Sequence, residues 1–245
     1  MQRYFVSTQQ ITAESIQITG NDVHHLKNVM RARVGDQVIC CDGQGTDYFV
    51  EIQQIHSQYI LCRILQRLPS QGEPKTEIIL AQSLPKGDKF EMILQKGTEI
   101  GAVSFLPFIS KRTVVKLDQK KSAKKVERWQ RIVKEAAEQA HRGRIPDLVA
   151  PRSWQELLTE IKNVDLALIA YEKGGQPLQR LLIPSVSRIL LIVGPEGGFT
   201  EQEIAEATAM GAHALTLGPR ILRTETAPLV ALSCLLFAKG ELGGE

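Results

Sequence analysis

LLIVGPEGGFTEQE, residues 190–203, decides the fold. Leu190 to Val193 form an unbroken apolar run, the pattern of a strand buried on both faces of a parallel sheet. Gly194-Pro195-Glu196-Gly197-Gly198 makes a stiff, glycine-rich turn, and Thr200-Glu-Gln-Glu203 matches the capping box that starts a helix. In open α/β sheets ligands sit beyond the carboxyl ends of strands, where this turn would lie. Glycines there permit close main-chain approach to a ligand, and they equally serve a tight turn that needs positive φ. The spacing is not G-x-G-x-x-G, and no G-x-x-x-x-G-K-[ST] occurs, so dinucleotide and P-loop readings are weak.

Working outward, the α/β pattern continues on both sides. Residues 77–82, 103–109 and 164–170 read as strands. Residues 88–100 read as a helix with Phe90, Ile93, Leu94 and Gly97 on one face, and 122–139 as a longer one whose stripe is Val126, Trp129, Val133, Ala136 and Ala140. Ser153-Trp-Gln-Glu156 is a second capping box. Downstream, LTLGPRILRTETAPLVAL (215–232) reads as a strand ending near Leu217, a Gly218-Pro219 turn, and an apolar helix with Pro228 in its first turn. Thr224 or Thr226 is expected to cap that helix, and Glu225 suits its positive end. Arg223 does not: a cation at this end of a helix dipole points to an anionic partner.

Residues 1–68 have another texture. Runs at 37–41, 47–55 and 59–65 are short and β-branched or alternating, broken by DGQGT and HSQ, with one helix at 22–30 capped by Asn21 or Asp22. This predicts a small barrel or sandwich. LPSQGEPK, residues 68–75, reads as a hinge, giving an expected division into 1–72 and 73–245.

The chain has 245 residues, 43% hydrophobic and 23% charged, which excludes disorder. Its longest apolar stretch, 227–238, falls short of the roughly 20 residues a membrane span needs. No basic-then-apolar leader opens the sequence, so a cytoplasmic protein is expected. Cys40, Cys41, Cys62 and Cys234 form no C-x-x-C, and the histidines no H-x-x-x-H, which argues against a metal and for four buried thiols. His24 and His25 read as ordinary helix residues. The net charge of +3 conceals an asymmetry: residues 111–144 carry twelve basic and four acidic side chains, while 145–245 have a net charge of −4. Such a localised +8 suggests a polyanion met on one face, although a solvated helix face has the same composition. Arg31 and Arg33, alternating along an expected extended stretch, would point the same way.

LPKGDKFEMILQKGTEIG, ERWQRIVKEAAEQAHRGRIP, LLIVGPEGGFT and LGPRILRTETA, in this order, resemble the motif set of the bacterial 16S ribosomal RNA uracil-N3 methyltransferase family, a branch of the SPOUT clan. RYFV and HHLKNVMRARVGD extend the resemblance over the whole chain. The resemblance implies an N-terminal PUA-like β-barrel that binds RNA and a C-terminal α/β domain with a deep trefoil knot. It implies S-adenosylmethionine held by Ala170, Tyr171 and Glu172, by Gly194, Pro195, Glu196, Gly197 and Gly198, and by Leu217, Gly218, Ile221, Leu222 and Arg223. It further implies a homodimer through the last helix, 16S ribosomal RNA or the small ribosomal subunit as partner, and methylation of N3 of one uridine in the decoding region. N3 belongs to a weakly acidic imide, so its methylation asks for a base and a nearby cation; Glu225 and Arg223 are the candidates, with Thr226 orienting one of them. Arg3, Arg31, Arg33, Lys86, Arg112, Lys120, Lys121, Lys124, Lys125 and Arg142 are the candidate RNA contacts. Two rival readings are a ribose 2′-O-methyltransferase of the same clan and a ribosome-assembly RNA-binding module without catalysis.

Overall fold

The computed structural model describes residues 1–115 and 119–244, with the side chains of 119–122 outside that description. The chain divides into two compact units, one of residues 1–73 with 137–145, the other of 74–136 with 146–245.

The first unit is built on β1 (Arg3–Phe5), β2 (Ser15–Thr19), β3 (Gln37–Cys41), β4 (Thr46–Ile55) and β5 (Tyr59–Pro69), in the order β1-β3-β4-β5-β2. The β4–β5 register shifts at Phe49/Val50 and Ile52/Gln54, irregularities that increase local twist. Inward residues alternate along the strands, so Ile16, Ile18, Val38, Cys40, Val50, Ile52, Ile60 and Cys62 share one core. The expected helix at 22–30 is a short α1 (Asn21–His24) running into a π turn, His25–Val29. Gly20 holds its N-cap position, not Asn21 or Asp22. Strand β5 runs through Leu68 and Pro69, inside the stretch read as a hinge, and the chain leaves the unit after Glu73.

Residues 137–145 belong to this unit because a buried ion network fixes them there. Arg3 donates from Nη1 to Asp47 Oδ1 at 2.9 Å and to the Arg142 carbonyl at 2.8 Å, and its Nη2 also meets Asp47. Arg142 grips Glu73 with two parallel bonds of 2.8 Å from Nε and Nη2. Both arginines are almost fully buried, at 4% and 2% exposure. The expectation that Arg3 and Arg142 meet RNA is therefore corrected: guanidinium groups this deep, with carboxylate partners, hold the unit together.

The second unit contains β6 (Glu77–Ser83), α2 (Lys89–Ile100), β7 (Ser104–Ile109), α3 (Gln119–Gln139, whose last turn belongs to the first unit), β8 (Asp147–Leu148), β9 (Arg152–Ser153), α4 (Trp154–Glu160), β10 (Leu166–Ala170), α5 (Leu178–Leu181), β11 (Arg188–Val193), α6 (Glu201–Ala209), β12 (His213–Leu215) and α7 (Ala227–Ala238). The strands form one parallel sheet in the order β12-β10-β11-β6-β7-β8, with β9 also pairing β7. Both faces are covered. Ile189, Leu191 and Val193 pack into a core with Phe90, Ile93, Leu94, Trp129 and Leu232, whereas Leu190 and Ile192 face Trp154, Leu157 and Phe199. This is why an uninterrupted apolar run marks the strand. Both capping boxes form, at Ser153–Glu156 and Thr200–Glu203. After the edge strand β12 the chain turns back and packs α7 over α2, β6 and β11.

Candidate functional site

Strands β10, β11 and β12 are parallel neighbours and end together, so the segments that follow them converge. They enclose a cleft of about 590 Å³, within the range usual for small-molecule sites. It is lined by Ala170–Glu172, Gly194–Phe199, Leu215–Thr224, Lys89 and a few neighbours. The structure thus brings together all the residues named above for the methyl donor, from Ala170 through Gly194 and Leu217 to Arg223.

Local chemistry shapes each wall. Thr224, expected as a helix cap, instead turns its buried hydroxyl to the Gly194 carbonyl (2.8 Å) and accepts from Gln82 Nε2 (3.2 Å), pinning the third wall to the second. Thr226 does occupy the N-cap of α7, but its side chain makes no capping bond. Gly198 sits at φ +65°, and a Cβ there would stand 2.8 Å from the Glu172 carboxylate. Arg112 braces the glycine turn, donating from Nη1 to the Gly197 carbonyl at 2.7 Å. Glu203 is fully buried: it closes the capping box with Thr200 and accepts from the Lys111 amide at 2.8 Å. The first wall crosses the third closely. Tyr171 N–H donates to the Leu215 carbonyl (3.0 Å), Gln176 N–H to that of Ala214 (2.8 Å), and Thr216 N–H returns to that of Gln176 (3.1 Å).

Charged groups gather at one end of the cleft. The Arg223 side chain is 84% exposed and comes only within 4.0 Å of Glu225 Oε1. Glu225, 14% exposed, lies beside the cleft rather than in its lining, as does Thr226. Lys89 was missed by sequence reasoning. Its Nζ lies 3.0 Å from Glu196 Oε1 and 3.3 Å from Glu225 Oε2. The hydrogen bond to Glu196, joined by Glu225, outweighs desolvation and raises the Lys89 pKa. Burial pushes the Glu196 carboxyl up, but hydrogen bonds from its own backbone, from Lys89 and from the Lys86 amide prevail and leave it lowered. The signal that marked Arg223, a cation in the unfavourable first turn of a helix, applies equally to Lys89 at the start of α2.

The remaining basic candidates scatter. Lys86, Arg31, Arg33, Lys124 and Lys125 are exposed. Arg31 lies at φ +53°, so the expected extended alternation with Arg33 is replaced by a turn in which Arg33 N–H meets Asp36 Oδ2 at 2.7 Å. The side chains of Lys120 and Lys121 lie outside the described residues. Among the described residues no group of His, Cys, Asp and Glu could hold a metal, and no helix is long and apolar enough to cross a membrane. Three cysteines are buried, but Cys234 is exposed on α7, contrary to expectation.

Residues 72–236 match the model of an RNA methyltransferase domain, and residues 18–65 that of an RNA methyltransferase PUA domain. The chain is 43% identical to the ribosomal RNA small subunit methyltransferase E of Bacillus subtilis, covering 100% of both chains. It is 35% identical to the protein of that name from Synechocystis, over 94% of this chain and 76% of the relative. A ribosomal RNA small subunit methyltransferase E from Neisseria gonorrhoeae, solved bound to S-adenosylmethionine, superposes with a TM-score of 0.89 at 32% identity, covering 97% of this chain and 98% of that one.

Proposed function

Because this chain belongs to the ribosomal RNA small subunit methyltransferase E family, we propose that it methylates N3 of one uridine in the decoding region of 16S ribosomal RNA. The methyl donor is S-adenosylmethionine, which supplies an electrophilic methyl group on a sulfonium. The cleft suits it. Gly198 leaves room where a Cβ would strike Glu172, and the Glu172 carboxylate has no partner among the described residues, so it is free for ribose hydroxyls or an ammonium group. Ile221, Leu217 and Pro195 offer apolar surface to a purine.

The observation that carries the uracil assignment is the carboxylate–cation cluster of Glu225, Lys89 and Arg223 at the end of this cleft. Glu225 takes the N3 proton, Arg223 faces incoming RNA at the rim, and Thr226 holds the start of α7 in place. N3 is on the pairing edge, so the base must leave its stack before reaching them. Arg31, Arg33, Lys86, Arg112, Lys124 and Lys125, with the PUA-type first unit, hold the RNA backbone while it does so. The deep knot belongs to the return from β12 to α7. Helix α7 is apolar almost throughout, yet Phe237 is 68% exposed and Cys234 is also open. Helices apolar on every face are normally buried, which supports a homodimer through this helix. Work on ribosomal RNA places the protein in the cytoplasm.

The test uses labelled S-adenosylmethionine and small subunits that lack the modification, with the product nucleoside identified by mass spectrometry. N3-methyluridine is expected at one site. No incorporation, or a methyl on ribose or another base atom, overturns the proposal.

A further inference from the structure

The N3–H of uracil is flanked by two carbonyl oxygens. As the proton leaves, negative charge spreads onto them, and a cation placed there lowers the barrier. Arg223 is poorly sited for this, since its side chain is 84% exposed and 4.0 Å from the nearest oxygen of Glu225. Lys89 is better sited. It lines the cleft, donates to Glu196 on the glycine turn at 3.0 Å, and forms an ion pair with Glu225, beside the cleft, at 3.3 Å. An ammonium has three N–H donors, so with one bonded to Glu196 and one turned toward the Glu225 ion pair, a third can point at a ligand.

We infer that Lys89 is a catalytic residue: its remaining N–H bonds a carbonyl oxygen beside N3 of the target uracil while Glu225 accepts the N3 proton. This rests on the uracil-N3 reading above. In the balanced step the N3–H bond breaks and its proton passes to the Glu225 carboxylate. The pair left on nitrogen forms the bond to the methyl carbon, and the carbon–sulfur bond breaks with its electrons staying on sulfur. The arrangement also selects the base. Lys89 and Glu225 present a donor beside an acceptor, matching the carbonyl and N–H of uracil. Cytosine offers an unprotonated N3 next to an amino group, which leaves both partners facing their own kind.

A brace between two loops would show the same ion pairs, so the test must separate charge from scaffolding. Lys89→Met is expected to lower kcat about 100-fold, leave the calorimetric affinity for S-adenosylmethionine unchanged, and recover in part as Lys89→Arg. The deciding arm uses small subunits whose RNA carries 5-fluorouracil, whose N3–H is more acidic. This substrate should rescue Lys89→Met by a larger factor than it accelerates the wild type. Equal factors, or a donor affinity that falls in step with kcat, would make Lys89 a brace and overturn the inference. A wild-type product methylated elsewhere than N3 would instead remove the functional reading, and this inference with it.

Discussion

Two adjacent glycines offer a controlled measurement of how tightly the cleft is built. Gly174 and Gly175 both have positive φ, +155° and +143°. An added Cβ at Gly174 meets nothing within 4 Å. At Gly175 it would stand 2.8 Å from the Leu215 carbonyl carbon and 2.9 Å from the carbon and oxygen of Ala214, all backbone atoms at the end of β12. Gly174→Ala therefore carries only the conformational cost, about 1–3 kcal/mol for a residue held in such a region. Gly175→Ala carries that and an overpacking cost of a further 1–3 kcal/mol or so, because a strand cannot yield as a side chain does. The excess corresponds to a melting midpoint about 2–12 °C below that of the control. Trp129 and Trp154, the only tryptophans in the chain, are both buried in the second unit, so intrinsic fluorescence reports its unfolding. Displacing Leu215 also moves the acceptor of the Tyr171 amide, so S-adenosylmethionine should bind Gly175→Ala more weakly than Gly174→Ala. Equal midpoints and equal affinities for the two variants would refute the account of this crossing.

Three further outcomes are expected. Changing Lys124 and Lys125 to Gln should reduce the salt dependence of RNA binding by about 0.7–0.9 in log–log slope for each lost phosphate contact; filter binding at several salt concentrations with an unchanged slope would return both to a solvated helix face. Arg3→Met should destabilise the first unit by about 3–5 kcal/mol, because Asp47 is left buried without its partner, yet leave that slope untouched; a flattened slope would restore Arg3 as an RNA contact. Asp165 is held below its usual 3.8 by the amides of Ser187 and Arg188, and Glu206 below 4.5 by the Trp154 indole N–H at 2.7 Å. Lowered carboxyl values mean stability that is complete above the usual carboxylate range and lost as pH falls through the shifted ones. The melting midpoint should therefore hold from pH 7 to 5 and drop below about 4, less steeply in Asp165→Asn; an identical acid limb would dismiss the Asp165 contribution.

The second unit was legible because its signals are local. Residues 190–203 carry strand, turn and cap within fourteen positions, and the alternate burial of Leu190 and Leu191 explains why the run has no polar member. What escaped depends on partners far apart in the chain. Arg3 meets the carbonyl of a residue 139 positions away, and no composition or periodicity announces that a terminal arginine will be buried. Arg142 lies in the basic segment 111–144, yet its guanidinium is buried against Glu73. Lys89 shows a subtler failure. Lys89 and Arg223 both stand at helix starts, where the dipole disfavours a cation, and only the tertiary fold brings the two to one cleft. Thr224 shows how a sound local role can lose to a tertiary one, since its hydroxyl oxygen accepts from Gln82 Nε2 in place of a helix amide while its O–H donates to the Gly194 carbonyl.

The first unit closes with a segment synthesised long after the rest of it. When Glu73 has emerged from the ribosome, its carboxylate still lacks the guanidinium of Arg142, and Arg3 lacks one of its acceptors, until residues 137–145 follow. Vectorial folding cannot finish the N-terminal module before much of its neighbour has been made. An excised fragment ending at residue 73 would leave Glu73 without its guanidinium and Arg3, still paired with Asp47, one acceptor short, so isolating the first unit calls for grafting the 137–145 peptide back onto it.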